Sequence, residues 1–362
     1  MSAAKGIGAG ETILLTGGAG FIGSNLADRL ASQGRRVRVF DALSRAGVET
    51  NLAWLVERHG NLIEPVTADI RDRAALDQAV RGVSAAYHFA AQVAVTTSMA
   101  DPRDDLETNI LGTFNLLEAM RARVPQAPVI FASTNKVYGD LAAHGTQLTS
   151  AGHVPQEERL AGAGVSEAEP LDFHTPYGCS KGAADQYVLD YARSYSTRAA
   201  VLRMSCIYGQ RQMGTEDQGW VAHFLIRALE GRAITLFGDG GQVRDICDVA
   251  DTVDAYLAVL ENIDQVRGQA FNWGGGPANA VSLLGLVEEI GRIIGRAPQV
   301  EFADWRPGDQ RWFVADTSRI DAALGLRPRK DWRQGVRDLA AWLGEARAPA
   351  AEAPRLRQAA SL

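Results

Sequence analysis

With 362 residues, 46% of them hydrophobic, the chain can build one large α/β domain or two domains with a sizeable core, which excludes a disordered polypeptide. A formal net charge of -6 and a pI near 5.6, without a dense Lys/Arg block, argue against nucleic acid or an anionic membrane as the main partner. Three widely spaced cysteines (Cys179, Cys206, Cys247) give neither a disulfide framework nor metal-ligand spacing, no apolar run reaches membrane length, and no secretory signal opens the chain, so the expected compartment is a reducing cytoplasm and no metal is expected.

Taken in order, residues 1–11 read as a disordered lead. Strands are then expected at 13–16, 36–40, 62–68, 85–90 and 129–133, with helical periodicity between them, clearest over 104–123. A helical run over 176–195 leads to another strand at 199–204. Strands alternating with helical crossovers predict a Rossmann-type, doubly wound parallel sheet, an α/β fold whose dinucleotide-binding domain spans mainly 12–205. Beyond it the pattern loosens. Segments at 217–229, 234–238 and 283–294 predict a smaller substrate-binding lobe over 206–345, with some segments returning to the first domain, and an Ala-rich tail at 346–362 reads as disordered. The irregular stretch 141–175 is too long for a plain connector and suits a lid, a substrate loop or an oligomer contact.

The stretch ILLTGGAGFIGSN (13–25) joins an apolar strand to a helix through Gly17, Gly20 and Gly23. The first permits a sharp turn, the second clears the backbone for a pyrophosphate, and the third lets helix and strand pack closely. Phe21 and Ile22 open the helix, whose free N–H groups suit phosphate. Asp41, ending the second strand, can accept hydrogen bonds from the adenosine ribose hydroxyls and repel a 2′-phosphate, which favours NAD over NADP. Arg45, beside Ser44, is the opposing signal, since a guanidinium there could hold a 2′-phosphate. Asp69 and Ile70 fit an adenine contact, and Ala90, Ala91 and Gln92 let backbone pass beneath the cofactor.

The chemistry is expected in TPYGCSK (175–181). Tyr177 and Lys181 lie four apart, so a helix starting near Pro176 puts both on one face. A phenol titrates near ~10 unperturbed, and an ammonium plus a cationic nicotinamide could lower it enough to take a sugar hydroxyl proton while hydride leaves the same carbon. Thr134, at the end of the fifth strand, can hydrogen-bond the same oxygen. His88 reads as a satisfied core histidine. Cys179 lacks a neighbouring His base and reads as a small buried filler.

With Gly17, Gly20, Gly23, Asp41, Thr134, Tyr177 and Lys181 in place, the chain resembles the extended short-chain dehydrogenase/reductase family, the nucleotide-sugar epimerases and dehydratases, over residues 13–342. Longer stretches, STNKVYGDL (133–141), FHTPYGCSKGAADQY (173–187), DQGW (217–220), QVRD (242–245) and DQR (309–311) running into FVAD (313–316), are similar to the branch that inverts C2 of CDP-linked 3,6-dideoxyhexoses. The resemblance implies tightly held NAD and a nucleotide-diphosphate sugar substrate, epimerised through a 2-keto intermediate. Thr134 and Asn135 would face the sugar, and Arg244 and Arg306 would clamp the diphosphate bidentately. It also implies a homo-oligomer, dimer or tetramer, through the helices at 104–123 and 176–195. Ala91 departs from the glycine common in that branch, and 144–171 is less recognisable. The residues by themselves identify oxidation at an alcohol carbon and leave open which carbon. A UDP-hexose 4-epimerase shares every group named, and a non-catalytic NAD(H) sensor remains a third reading. A 4,6-dehydratase needs an acid pair after the catalytic Thr, where Asn135 and Lys136 stand instead.

Overall fold

The computed structural model of the chain describes residues 11–347. Strands β1 (Thr12–Thr16), β2 (Arg36–Asp41), β3 (Ile63–Thr67), β4 (Val83–His88) and β5 (Val129–Thr134) join Ala199–Met204 and Ala270–Trp273 in one seven-stranded sheet. Its order is Ala270–Trp273, Ala199–Met204, β5, β4, β1, β2, β3, and every neighbouring pair is parallel. Alternation along β1 explains its central place: Ile13 and Leu15 enter the core on one face and Leu14 the core on the other. The fold is therefore the Rossmann-type doubly wound sheet the sequence predicts. The chain winds from β1 through β2 to β3, then returns to β4 on the other side of β1. That reversal opens a crevice at the carboxyl ends of the strands, where ligands of such sheets bind.

A smaller lobe covers that end. Its central strand, Val243–Asp248, pairs in parallel with Cys206–Tyr208 and Trp312–Phe313 and antiparallel with Ala280–Ser282. Phe224, Leu225, Leu236, Leu286, Ile290 and Leu339 fill its own apolar core. Two pieces of the second half return to the first domain. Ala270–Trp273 adds a strand to the main sheet, and the helix Val249–Glu261 packs on α1 (Phe21–Ser32), where Arg29 meets Asp254 at 2.7 Å.

Several boundaries differ from the sequence reading. The helix expected over 104–123 begins at Pro102 and is interrupted by a π-helical turn, Glu107–Leu111, before Gly112–Arg123. The extra residue turns Asn109 inward, so that its Nδ2 reaches the Ser180 hydroxyl at 2.9 Å. The fourth strand ends at His88 rather than at residue 90, because Phe89 and Ala90 bend under the Gly17 turn. Residues 141–175 hold a hairpin, Thr146–Thr149 with Gly152–Pro155, and a short helix, Glu158–Ala163. Backbone bonds from His153 to Gly241 and from Val165 to Val314 fasten this stretch to the second lobe, away from the cleft. The last helix runs to Arg347, two residues into the expected tail; the expectations for residues 1–10 and 348–362 lie outside the described residues.

Beneath the crevice, Arg203 and Asp185 form a two-pronged ion pair with both bonds at 2.9 Å and both side chains buried. Asp185 also accepts from Ser133 Oγ at 2.7 Å, so the pair ties β5, the helix Thr175–Ser194 and the strand Ala199–Met204 together. Asp185→Ala leaves a buried guanidinium uncompensated and should cost about 3–5 kcal/mol, read as a lowered urea midpoint at unchanged slope.

Candidate active site

The crevice is a cleft of about 680 Å³. Its floor is the turn from β1 into α1. Gly17 sits at φ +70°, and a Cβ there would come within 2.6 Å of the Ala90 backbone nitrogen. At Gly23 a Cβ would strike the Gly17 carbonyl. The α1 N-cap is Gly20 and carries no side-chain cap, which leaves the first-turn N–H groups facing the cleft beside Phe21 and Ile22. A cradle that any side chain would fill, at an uncapped helix start, fits a dinucleotide pyrophosphate.

Asp41 sits at one end of this floor. Its Oδ2 accepts from Ala19 N at 3.0 Å and its Oδ1 from Leu43 N at 2.9 Å, which fixes the carboxylate at the cleft edge. Burial raises its pKa, partly offset by those backbone donors. Ser44, Arg45, Asp69 and Ile70 line the same end. Asp69 is held by Arg71 at 2.6 Å, which keeps its carboxyl below the usual range, and burial lowers the pKa of Arg45. Ala90, Ala91 and Gln92 follow along the floor.

Thr134, Tyr177 and Lys181 meet at the other end. The helix Thr175–Ser194 starts with Pro176 in its first turn, and its four-residue repeat puts Tyr177 and Lys181 on the inward face. Burial pushes the Tyr177 phenol up to about 12, against a hydrogen bond from Thr134 that lowers it. Burial likewise pushes the Lys181 amine down to about 7. The amine donates to Ala132 O at 2.7 Å and lies 4.2 Å from the centre of the Phe131 ring. His88 beneath it uses both ring nitrogens on hydroxyls, Thr16 at 2.7 Å and Thr113 at 2.9 Å; burial holds it near a pKa of about 3, a neutral core histidine as the sequence suggested.

Three residues expected against substrate lie off the cleft lining. Asn135 is buried and donates to Gln310 Oε1 at 3.2 Å. Arg244 is buried on Asp309 at 2.7 Å, and Arg306 lies over the Phe237 ring with Glu216 at 3.0 Å. A diphosphate role for either arginine requires exchanging these carboxylates for the ligand. Cys179, expected as a buried filler, is exposed, because two residues from Tyr177 and from Lys181 the helix presents its opposite side. Sequence reasoning gave no role to Lys136, which lines the cleft with its ammonium on Gly308 O at 3.0 Å, or to Met213 and Gln218 of the second lobe. Lys136 was legible as a charge two places beyond Thr134, and Gln218 as part of DQGW (217–220); Met213 carried no signal.

The family model described as the NAD dependent epimerase/dehydratase family matches residues 13–274. The chain belongs to that family. Among curated relatives, it is 41% identical over 337 residues to CDP-paratose 2-epimerase of Salmonella typhi, covering 91% of this chain and 98% of the relative. It is 32% identical to UDP-glucose 4-epimerase of Mycolicibacterium smegmatis, covering 89% of this chain and 95% of that one. Among solved structures, the UDP-glucose 4-epimerase of Thermus thermophilus in complex with NAD superposes with a TM-score of 0.78 at 31% identity, over 92% of this chain and 99% of that chain. A family defined by NAD agrees with the glycine cradle and with a carboxylate, Asp41, at the cleft edge beside it. Gly23→Ala should reduce the NAD that co-purifies to about a tenth or less, because the added methyl forces α1 away from β1; nucleotide released on acid denaturation measures it.

Proposed function

We propose that the protein inverts C2 of a CDP-linked 3,6-dideoxyhexose, converting CDP-paratose to CDP-tyvelose through a 2-keto sugar. The observation that carries this reading is the 41% identity, along nearly the full length of both chains, to a CDP-paratose 2-epimerase, joined to Thr134, Tyr177 and Lys181 meeting at one end of a dinucleotide cleft. Bound NAD, held by the glycine turn, Asp41 and the strand ends, supplies reversible hydride storage. The chain's own groups handle the proton. Tyr177 Oη takes the C2 hydroxyl proton and returns it, and Thr134 Oγ1 bonds the same oxygen and keeps it in line. Lys181 lends positive charge beneath the phenol. That charge matters because burial, even against the Thr134 hydrogen bond, leaves the phenol at about 12, too high for a base at neutral pH.

Inversion requires the keto sugar to turn over while the nucleotide stays anchored. Arg244 and Arg306, released from Asp309 and Glu216, suit that anchor, since each already stands in the lobe that covers the strand ends. Asn135 and Lys136, where a dehydratase would need two acids, favour simple return of hydride over loss of water. The working form we propose is a dimer or tetramer, built on the exposed apolar side chains Leu106, Leu111, Phe114 and Tyr187; light scattering that finds only monomer removes this part.

Substrate deuterated at C2, incubated with the holoenzyme in ordinary water, should keep its label in the inverted product, and unlabelled substrate in heavy water should gain none. Label exchange with solvent at C2 would mean deprotonation beside a carbonyl and would overturn the hydride route. Conversion of UDP-galactose in place of CDP-paratose would assign the protein to the 4-epimerases.

A further inference from the structure

We infer that Asp105 is a positioning residue for this reaction, a buried carboxylate that sets the charge of the Tyr177 and Lys181 pair from behind the cleft. The inference rests on the role proposed for that pair. Asp105 closes the short helix Pro102–Leu106 and is 1% exposed. Its Oδ1 accepts from Gln92 Nε2 at 3.1 Å and from Asn109 Nδ2 at 3.2 Å. Asn109 reaches on to the Ser180 hydroxyl, which stands between the Tyr177 carbonyl, at 3.2 Å, and the Asp105 carboxylate, so its one proton can serve either acceptor. The π-helical turn brings Asn109 into this chain of bonds, so the local distortion and the network are one feature. The other carboxylate oxygen, Oδ2, is buried without a hydrogen-bond partner. A desolvated carboxylate oxygen without a donor is costly unless a nearby positive charge compensates it.

Lys181 is the cation whose charge acts on Asp105. Asp185, on the same helix as Lys181, is paired with Arg203 and still supports the Lys181 charge more strongly than Asp105 does. His88 of β4 is neutral. Asp104, beside Asp105, pairs with Arg71 at 2.8 Å. The helix Val95–Ala100, packed against the helix of Tyr177 and Lys181, contributes no ionisable side chain. Asp105 itself makes no ion pair within contact distance among the described residues. Burial raises its pKa, and the Ser180 hydroxyl and the Lys181 charge draw it back down. In return Asp105 joins Asp185, the larger contributor, in raising the pKa of Lys181 against the downward pull of burial, and it raises that of Tyr177.

The signs give a signature that a purely structural role lacks. Without the carboxylate, Lys181 loses a group that keeps it charged and deprotonates at lower pH. Tyr177 loses a negative neighbour and ionises at lower pH. Both limbs of a bell-shaped kcat/KM profile therefore move to the acid side together, whereas a packing defect lowers the bell without moving it.

The test is the pH profile of kcat/KM on CDP-paratose for the NAD-loaded protein and for D105N, S180A and E107Q. D105N should shift both limbs acid by about one pH unit. S180A, which removes a hydroxyl that favours the ionised Asp105, should shift them the same way by less, and it decides the matter should D105N fail to fold. E107Q, which removes a half-buried charge paired with Arg103 in the same helical stretch, should leave the limbs in place. Stationary limbs in D105N and S180A, whatever the height of the bell, would overturn the role of Asp105. A parent protein inactive on CDP-paratose would instead overturn the proposed reaction.

Discussion

Burial of an ammonium and a phenol on one helical face, at the point where the strand order of the sheet reverses, is the constraint that organises this molecule. Neither group is at ease there: Lys181 is pushed down to about 7 and Tyr177 up to about 12. The fold tolerates the arrangement because it surrounds the pair with fixed partners. The Ala132 carbonyl and the Phe131 ring hold the ammonium, Thr134 meets the phenol, and the Arg203–Asp185 pair locks the helix to the strands below. Removing the pair from water also makes it responsive, since a charge placed above it in the cleft acts through a low-dielectric gap. A cationic nicotinamide ring bound there would lower the phenol, so the proposed base would be competent only with cofactor in place.

The two lobes divide the remaining work. The sheet supplies a phosphate cradle made of backbone, where Gly17 and Gly23 are needed because side chains at those positions would collide with neighbouring main chain. The second lobe brings cations, Arg244 and Arg306, that rest on carboxylates of their own. Such a lobe can accept an anionic substrate by exchanging internal ion pairs for external ones, at little net electrostatic cost.

What could be read from the sequence followed from periodicity and spacing. The sheet, the glycine turn and the pairing of Tyr177 with Lys181 each show as a local repeat, of period two, three and four respectively, and local repeats survive folding. The π-helical turn at Glu107–Leu111 did not show, because one residue inserted into a helix leaves the apolar pattern nearly intact. The resting partners of Arg244 and Arg306 are 65 and 90 residues away along the chain, beyond the reach of any local pattern. Cys179 was misjudged because its neighbours in sequence are buried, while the helix turns it outward. The internal bonds of 141–175 were hidden for the same reason as the arginine partners, since they are made to residues 241 and 314.

A rapid-mixing record of reduced-nicotinamide absorbance after adding CDP-paratose to the NAD-loaded protein bears on the core of this account. A transient that rises and decays within turnover, and that vanishes when Tyr177→Phe removes the phenol oxygen, is the expected result. Full-speed epimerisation with no reduced nicotinamide at any time, or a transient indifferent to Tyr177→Phe, would contradict it.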